Sequence, residues 1–501
     1  MKTLYKSSAA HLVCMIPILF FTASCADKKT SDAPEVREKR APNIVVIFMD
    51  DMGYGDITPY GNPTAQTPIL ERLAYEGQKW TNFYAAFPTC TRSRAALLTG
   101  RLPVRIKRGD GKERLKLVFP DHVYGMHRDE ITIAEMLKES GYATAAVGKW
   151  HLGHMPDYLP TAQGFDSYFG IPYSNDMDAV GGPTPSWVTK PLRKKLDLMR
   201  VGANINDWDV VLMEDEEVIE RPVDQWTITQ RYTDKAVEFI SDNKDRPFFL
   251  YLAHSLPHIP LFTAKEFWGK SVGGYYADVI NELDHSTGQV IDALERNGLG
   301  ENTLVVVTSD NGPWIGMMDL GGSPGPLRGG KGTTWEGGMR VPAIFWWPGK
   351  ISPRVEAGIG STLDLLPTIA ALTGSQVPPD RVIDGVDQSK TLTGNVLSAR
   401  DSMIFYKHHR PFAIRKGSLK LHVETSRSFG IPADGSDRIY GKEVREMLLD
   451  QNKPQVADPA LLFNVDLDPG ERYDIAHLNP EEVQSLKTLL EEHLSTIEPL
   501  E

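Results

Sequence analysis

Three cysteines in 501 residues, Cys14, Cys25 and Cys90, are too few for a disulfide framework. Each thiol therefore needs its own explanation. Positive charge is not in excess either: 54 Lys and Arg face 66 Asp and Glu, a formal net charge of −12. That excludes association with nucleic acid or an anionic membrane surface through bulk electrostatics. No apolar run reaches a comfortable membrane span of about 20 residues, and the longest candidate, residues 9–23, is interrupted by Pro17. Internal repeats and low-complexity tracts are missing too. What remains is a globular composition, 41% hydrophobic and 24% charged, long enough for one large domain and a smaller one.

The first residues read as a targeting segment. Lys2 and Lys6 precede the short apolar stretch, which ends in Thr22-Ala23-Ser24-Cys25 before a polar run. Small residues ahead of a cysteine resemble a bacterial lipoprotein signal. The resemblance implies a signal peptide over 1–24, a lipidated Cys25 and a polar tether over 25–41. The protein would then be exported and anchored by its N-terminal lipid, facing the periplasm or cell surface. Ordinary cleavage nearby, with Cys25 left as a thiol, is the alternative; in either case Cys14 leaves with the signal.

From residue 43 the chain alternates. NIVVIFM (43–49), TAAVG (144–148), PFFLYLA (247–253), TLVVVTS (303–309) and VPAIFWW (341–347) are continuous apolar runs of the kind buried on both faces of a sheet. Helical patterns lie between them at 131–141, 227–243 and 275–298. Strand followed by helix, repeated, predicts an α/β fold with a mostly parallel sheet flanked by helices. The last hundred residues predict a smaller α+β subdomain: two short strands around a Lys416-Gly417 turn, a further strand from LFNVDL, and a closing helix from EEVQSLKTLLEEHLSTI. The boundary falls near 400, giving a main domain over 42–400 and a C-terminal subdomain over 401–501.

Ligands of open α/β sheets bind beyond the carboxyl ends of the strands. Four of those ends here run into polar clusters: Asp50-Asp51, Lys149-Trp150-His151, His254 with His258, and Asp310-Asn311. One such cluster is ordinary; four at one predicted edge point to a single site. Asp50, Asp51, Asp310 and Asn311 offer only hard oxygen donors, suited to Ca²⁺ or Mg²⁺ rather than Zn²⁺. Cys90 stands in PTCTRSRAALLTGR, where a helix is predicted from Ser93 to a stop at Gly100. That places Cys90 just before a helix N-terminus, where partial positive charge favours an oxyanion. GPLRGGKG (325–332) nearly matches a phosphate-binding loop, but Gly332 replaces the Ser or Thr that holds Mg²⁺ and no strand leads into it, so the nucleotide reading is rejected. The basic segment from Arg101 to Lys116, with Arg105, Lys107, Arg108, Lys112 and Arg114, reads either as an approach for a polyanionic glycan or as a solvated loop.

NIVVIFMDDMGYGD, CTRSRAALLTGR, GKWHLG, LPHIP, TSDNGPW and LRGGKGTTWEGGMRVPA, in that order, resemble the formylglycine-dependent sulfatases of the alkaline phosphatase superfamily, in appearance those acting as arylsulfatase A and galactosamine-6-sulfatase. GIPYSND and the tail around LKLHVETS and LFNVDLDPGE extend the likeness. The resemblance implies an alkaline-phosphatase-like sheet and a sulfuric ester hydrolase acting on a sulfated glycan or another sulfate ester. It implies that a separate formylglycine-generating enzyme oxidises Cys90, that one hydroxyl of the hydrated aldehyde attacks sulfur, and that loss of a proton from the second hydroxyl releases sulfate. Asp50, Asp51, Asp310 and Asn311, with residue 90, match the ligands of one Ca²⁺. Arg94 and Lys149 match residues holding the hydrated aldehyde, and His151 the group that takes the second hydroxyl's proton. His258 and Lys331 match the pair that binds sulfate and protonates the leaving oxygen. His254 reads as a core histidine. The maturation motif usually has Pro or Ala two residues after the cysteine, where this chain has Arg92. Two alternatives therefore stay open: a phosphate mono- or diester hydrolase on the same scaffold, and a non-catalytic glycan-binding lipoprotein with an unconverted thiol.

Overall fold

A computed structural model describes residues 40–178, 208–425 and 455–498. The signal segment and Cys25 lie outside the described residues. Ala41–Glu501 group into one compact unit.

Ten strands form the main sheet: β1 (Asn43–Met49), β2 (Gln78–Tyr84), β3 (Ala143–Gly148), β4 (Ser167–Gly170), β5 (Leu212–Glu214), β6 (Glu217–Glu220), β7 (Phe248–Ala253), β8 (Thr303–Ser309), β9 (Ala343–Trp346) and β10 (Arg354–Ser361). Their spatial order is β10-β2-β9-β8-β1-β7-β3-β4-β5-β6. The centre, β8-β1-β7-β3-β4, is parallel throughout. Antiparallel pairs enter only toward the edges, at β8–β9, β2–β9, β4–β5 and β5–β6. Every residue of β1, β7 and β8 is buried, which is why these strands read as unbroken apolar runs rather than alternating ones.

The principal helices are α1 (Pro68–Glu76), α2 (Cys90–Thr99), α3 (Ile133–Glu139), α4 (Ile228–Asp242), α5 (Gly274–Arg296), α6 (Leu365–Thr373) and α7 (Pro480–Leu494). α3 starts at Thr132, whose side chain accepts from the Glu135 N–H while Glu135 reaches back to the Thr132 N–H, a reciprocal cap. α1 has no cap of its own: Pro68 occupies its first position, and Asp284 on α5 accepts from the Ile69 and Leu70 N–H groups at 3.2 and 2.8 Å.

The C-terminal sheet, β11 (Ser402–Lys407), β12 (Arg410–Lys416), β13 (Leu419–Thr425) and β14 (Gln455–Asn464), is antiparallel in sequence order. The predicted turn is present, with Gly417 at φ +56. α7 lays Leu486 and Leu490 against Ile414, Leu421 and Leu462. A buried ionic network joins this sheet to the main one. Lys420 on β13 donates to Glu336 at 2.8 Å and lies 3.2 Å from Glu471, while Tyr84 on β2 donates to Glu336 at 2.7 Å.

Candidate active site

Register alone aligns the strand ends. Phe48 pairs with Ala253, Ala253 with Gly148, and Met49 with Ser309. β1, β7, β3 and β8 therefore leave the sheet along one row and deliver Asp50-Asp51, His254, Lys149 and Asp310-Asn311 to the same edge. Backbone bonds continue past the strands: Lys149 N–H to Ala253 O (2.7 Å), His254 N–H to Phe48 O (2.9 Å) and Asp310 N–H to Met49 O (3.1 Å). Gly148 sits at φ +110, and a Cβ there would run into the Ala253 carbonyl, so glycine lets β3 turn into Lys149. Asp51 (φ 65) and His151 (φ 62) adopt left-handed backbone, at roughly 1–2 kcal/mol each, so strain is concentrated at this edge.

α2 starts at Cys90, three residues earlier than the predicted Ser93. Thr89 is extended (φ −150, ψ 152), and the Pro88 carbonyl is held by the Gly332 N–H at 2.8 Å, so the turn begins directly after it. Ser93 N–H is already a helical donor, to Thr89 O at 3.2 Å. Cys90 is thus the first helical residue, not the one before the helix. The stop at Gly100 is as expected, at φ +66. All ten residues of α2 are buried.

Around Cys90 the side chains interlock. Its thiol lies 3.4 Å from Asp50 Oδ1. Lys149 Nζ donates to Asp50 Oδ2 and, at 3.0 Å, to Ser174 Oγ. Arg94 donates from Nη2 and Nε to Asp310 Oδ2 at 2.9 and 3.2 Å, and from Nη1 to Lys149 O at 3.0 Å. The Asp51 N–H donates to Asp310 Oδ1 at 3.1 Å. Asp51 also accepts from Asn311 Nδ2 and Lys331 Nζ, both at 2.7 Å, and lies 3.6 Å from His258 Nε2. Trp314 packs against both of the last two, 4.7 Å from Lys331 Nζ and 5.5 Å from the His258 ring.

Three cations and three carboxylates share this buried space, and their protonation follows. Burial opposes charge on Asp50, but Lys149, His258, Arg94 and Lys331 overcome it and hold the carboxyl well below its ordinary range. Burial, reinforced by Asp50, lifts Asp51 and pushes Asp310 up to about 7. Burial, with Asp50, also raises the Cys90 thiol well above its usual value, so it is no ready thiolate. Burial and the neighbouring cations hold His151 and His258 well below the normal imidazole range. Burial opposes charge on Lys331, but Asp51, Asp50 and Asp310 together with Cys90 outweigh it, so Lys331 stays charged.

The oxygens of Asp50, Asp51, Asp310 and Asn311 suit a hard divalent cation. One ligand atom each from Asp50, Asp51, Cys90 and His258 lie within 4.8 Å of one another, so a thiol and an imidazole, which are softer donors, stand beside two of those carboxylates. Asn311 Oδ1 is buried with no hydrogen-bond partner, and a cation would satisfy it. Three carboxylates of which two resist ionisation are what a missing positive charge produces.

Residues 42–375 match the family model Sulfatase, and residues 398–501 match that of the C-terminal region of aryl-sulfatase. The chain belongs to the sulfatase family. It is 39% identical to arylsulfatase A of Homo sapiens, over 90% of this chain and 87% of that protein. To N-acetylgalactosamine-6-sulfatase of Canis lupus familiaris it is 37% identical, over 96% and 90%. Among solved structures, the PsFucS1 sulfatase from Pseudoalteromonas sp. superposes with a TM-score of 0.76 at 30% identity, covering 91% of this chain and 90% of its own.

The chain is accordingly a sulfuric ester hydrolase, and its site holds more than the sequence disclosed. Ser174 stood in the sequence only as part of the motif GIPYSND with no role of its own, although it follows β4, whose carboxyl end lies on the same edge; the four-residue strand SYFG was too short to flag. Trp314 was quoted only as part of a motif. His254 is a core residue of this sulfatase, fully buried, 3.4 Å from Ser286 on α5 and pushed down to about 3 by burial. The basic segment is largely spoken for within the protein. Arg105 is held by Asp384 and by Thr496 near the C-terminus, Arg114 donates to Glu498 O, Arg101 pairs with Glu130, and Arg108 with Asp110 and Glu113. Arg105 and Arg114 are buried, so this stretch mostly secures the tail.

Proposed function

We propose that this sulfatase hydrolyses a sulfate ester of a carbohydrate, with residue 90 acting as formylglycine and one Ca²⁺ held by Asp50, Asp51, Asp310 and Asn311. The observation that supports it best is the buried Cys90 thiol 3.4 Å from Asp50, enclosed by Lys149, Arg94 and Lys331. A thiol with its pKa raised by burial and a carboxylate is a poor nucleophile, whereas a hydrated aldehyde at that point would sit among donors for its oxygens. The ion, when bound, polarises the sulfate and lowers the cost of ionising the attacking hydroxyl.

The remaining work belongs to side chains. Arg94 and Lys149 hold the oxygens of residue 90. His151 gives its Nε2 proton to the Val118 carbonyl at 3.0 Å, which leaves Nδ1 as a buried acceptor without a partner. Kept neutral by burial, Lys149 and Arg94, that nitrogen is a base ready for the second hydroxyl's proton. His258 Nδ1 donates to Ile259 O at 2.6 Å, so Nε2 faces Asp51 and Lys331 as an acceptor. Lys331, still charged, is then the acid for the leaving oxygen, with His258 orienting it. With all three ionised, Asp50, Asp51 and Asp310 would cancel Lys149, Arg94 and Lys331, and a divalent ion would supply the positive charge that a sulfate ester needs inside a chain of −12.

Cys25 as a lipid anchor and an extracytoplasmic location complete the reading. Cys25→Ala should release the protein from the membrane fraction. Peptide mass spectrometry across residue 90, on protein from its native host, tests the core of the proposal. An unmodified thiol in every molecule, or a preference for phosphate over sulfate esters, refutes it.

A further inference from the structure

Arg92 replaces the usual Pro or Ala of the maturation motif, and nothing in the proposed reaction uses it. It is buried in the first turn of α2, two residues after Cys90. Its Nε donates to Leu115 O (2.8 Å), its Nη1 to His408 O (2.9 Å), and its Nη2 faces His409 Nε2 at 3.4 Å. The guanidinium also lies over Phe87, 4.8 Å from the ring centre. Arg92 thus ties the start of α2 to the tip between β11 and β12, Lys407-His408-His409-Arg410.

That tip is joined to the reaction site through one strip of chain. The strip that accepts from Arg92 at Leu115 reaches the catalytic histidine at its other end, where Val118 O binds His151. Lys116 lies between the two and is exposed. On the tip, His408, His409 and Arg410 are exposed, and His408 is held at φ 55, an uncommon conformation for a non-glycine residue.

The main charges acting on the two imidazoles of the tip are positive. Those on the His409 ring come from Arg92, Lys116, His408 and Arg114, and those on His408 from Lys407, Arg92 and Arg410. Two carboxylates stand nearby, Glu113 at 2.6 Å from Lys116 and Glu424 at 3.0 Å from Arg410. The Lys116 pair is solvent-exposed and therefore weak, so it yields easily to another anion. An arginine only donates, so His409 Nε2 accepts from Arg92 and the ring proton sits on Nδ1. Partial burial of the ring and the surrounding cations push His409 down to about 4, which leaves a neutral ring with one N–H donor, at Nδ1, among positive charges.

We propose that the β11–β12 tip is a second anion subsite for the substrate. His409 and Lys116, with Arg92 as the positioning residue, take a sulfate or carboxylate at another position of the same saccharide whose ester is cleaved at residue 90. The proposal rests on the sulfatase reaction above. It is tested by calorimetry on Cys90→Ala protein, which binds without turnover. The probes are N-acetylgalactosamine 6-sulfate, its 4,6-disulfate, and glucuronyl-N-acetylgalactosamine 6-sulfate. At least one two-anion probe should bind about tenfold tighter than the first, as a charge-assisted contact supplies. Adding His409→Ala and Lys116→Ala should bring that ratio close to one at unchanged Tm. Which probe gives the ratio distinguishes sulfate from carboxylate. A ratio near one in the starting protein, no measurable binding of either two-anion probe, or a ratio that survives the substitutions overturns the subsite. Failure of the native enzyme to release sulfate from these probes, from a wider panel of sulfated sugars and from 4-nitrophenyl sulfate refutes the reaction instead, and shows separately because the calorimetry needs no turnover.

Discussion

At the scale of single residues, the proposed reaction divides the site into groups that make the nucleophile and groups that release the alcohol, and kinetics can separate them. Cys90→Ala should lower kcat by about a thousandfold or more, while Ca²⁺ still raises Tm by binding the native state. Substantial residual turnover would remove Cys90 from its role. Lys331→Ala and His258→Ala should behave differently. Protonation matters most for a poor leaving group, so activity on a sugar sulfate should fall by about 10²–10⁴, and far less on 4-nitrophenyl sulfate, whose phenolate leaves without help. Equal losses on both would place the pair in sulfate binding alone. Asp50, Asp51, Lys149, Asp310 and Asn311 were legible because each directly follows an unbroken apolar strand. Arg92 was visible in the sequence only as a departure from a motif. Its partners, a carbonyl 23 residues on and a carbonyl and an imidazole more than 300 residues away, are set by tertiary structure.

At the scale of elements, α5 holds three buried carboxylates that serve its neighbours, of which Asp278 accepts from the Gly269, Lys270 and Ser271 N–H groups at 2.7, 3.2 and 2.7 Å. Asp284 caps α1, and Asp284→Ala should cost about 1–2 kcal/mol, seen as a lower midpoint in urea. Glu282 accepts from Thr263 Oγ1 at 2.6 Å and from the Ala264 N–H at 3.0 Å. Burial pushes Glu282 up to about 7 and Asp284 up to about 6. Both values exceed those of an unfolded chain, so the folded protein binds these protons more tightly. Their contribution is complete below about pH 4 and is lost as pH rises through 6 to 7, by up to roughly 1.4 kcal/mol per unit for each group. Glu282→Gln should therefore gain on the parent in Tm between pH 5 and pH 8; a constant difference would show that Glu282 does not titrate there. Helix α5 was legible from its periodicity. These interhelical duties were not, because sequence shows an acidic residue on a helix but not what faces it. β2, β4 and β10 escaped for a related reason: flanked by mixed residues, they acquire strand character only by pairing with neighbours already in the sheet.

At the scale of the whole molecule, the two sheets are joined through buried charge. Glu336 is opposed by its burial but held down to about 2 by Lys420, Arg340 and Arg415. This value lies below that of an unfolded glutamate, so the linkage contributes above about pH 4.3 and fades as pH falls toward 2. Lys420→Met leaves two buried carboxylates short of a partner and should destabilise by about 3–5 kcal/mol at pH 7, with the gap narrowing in acid. A pH-independent gap would assign the loss to packing. The two-part organisation was legible from the change of pattern near residue 400, but the ionic seam was not, since its members are spread from Tyr84 to Glu471. The enclosure of α2 carries a consequence in time rather than space. With every residue from Cys90 to Thr99 shut inside the folded protein, an enzyme that oxidises Cys90 must meet it on a chain still unfolded. Oxidation and folding are then competitors, and the aldehyde content of a preparation becomes a record of how long each chain stayed open. Folded thiol protein incubated with the maturing enzyme should stay unconverted, whereas the same chain presented unfolded should be converted.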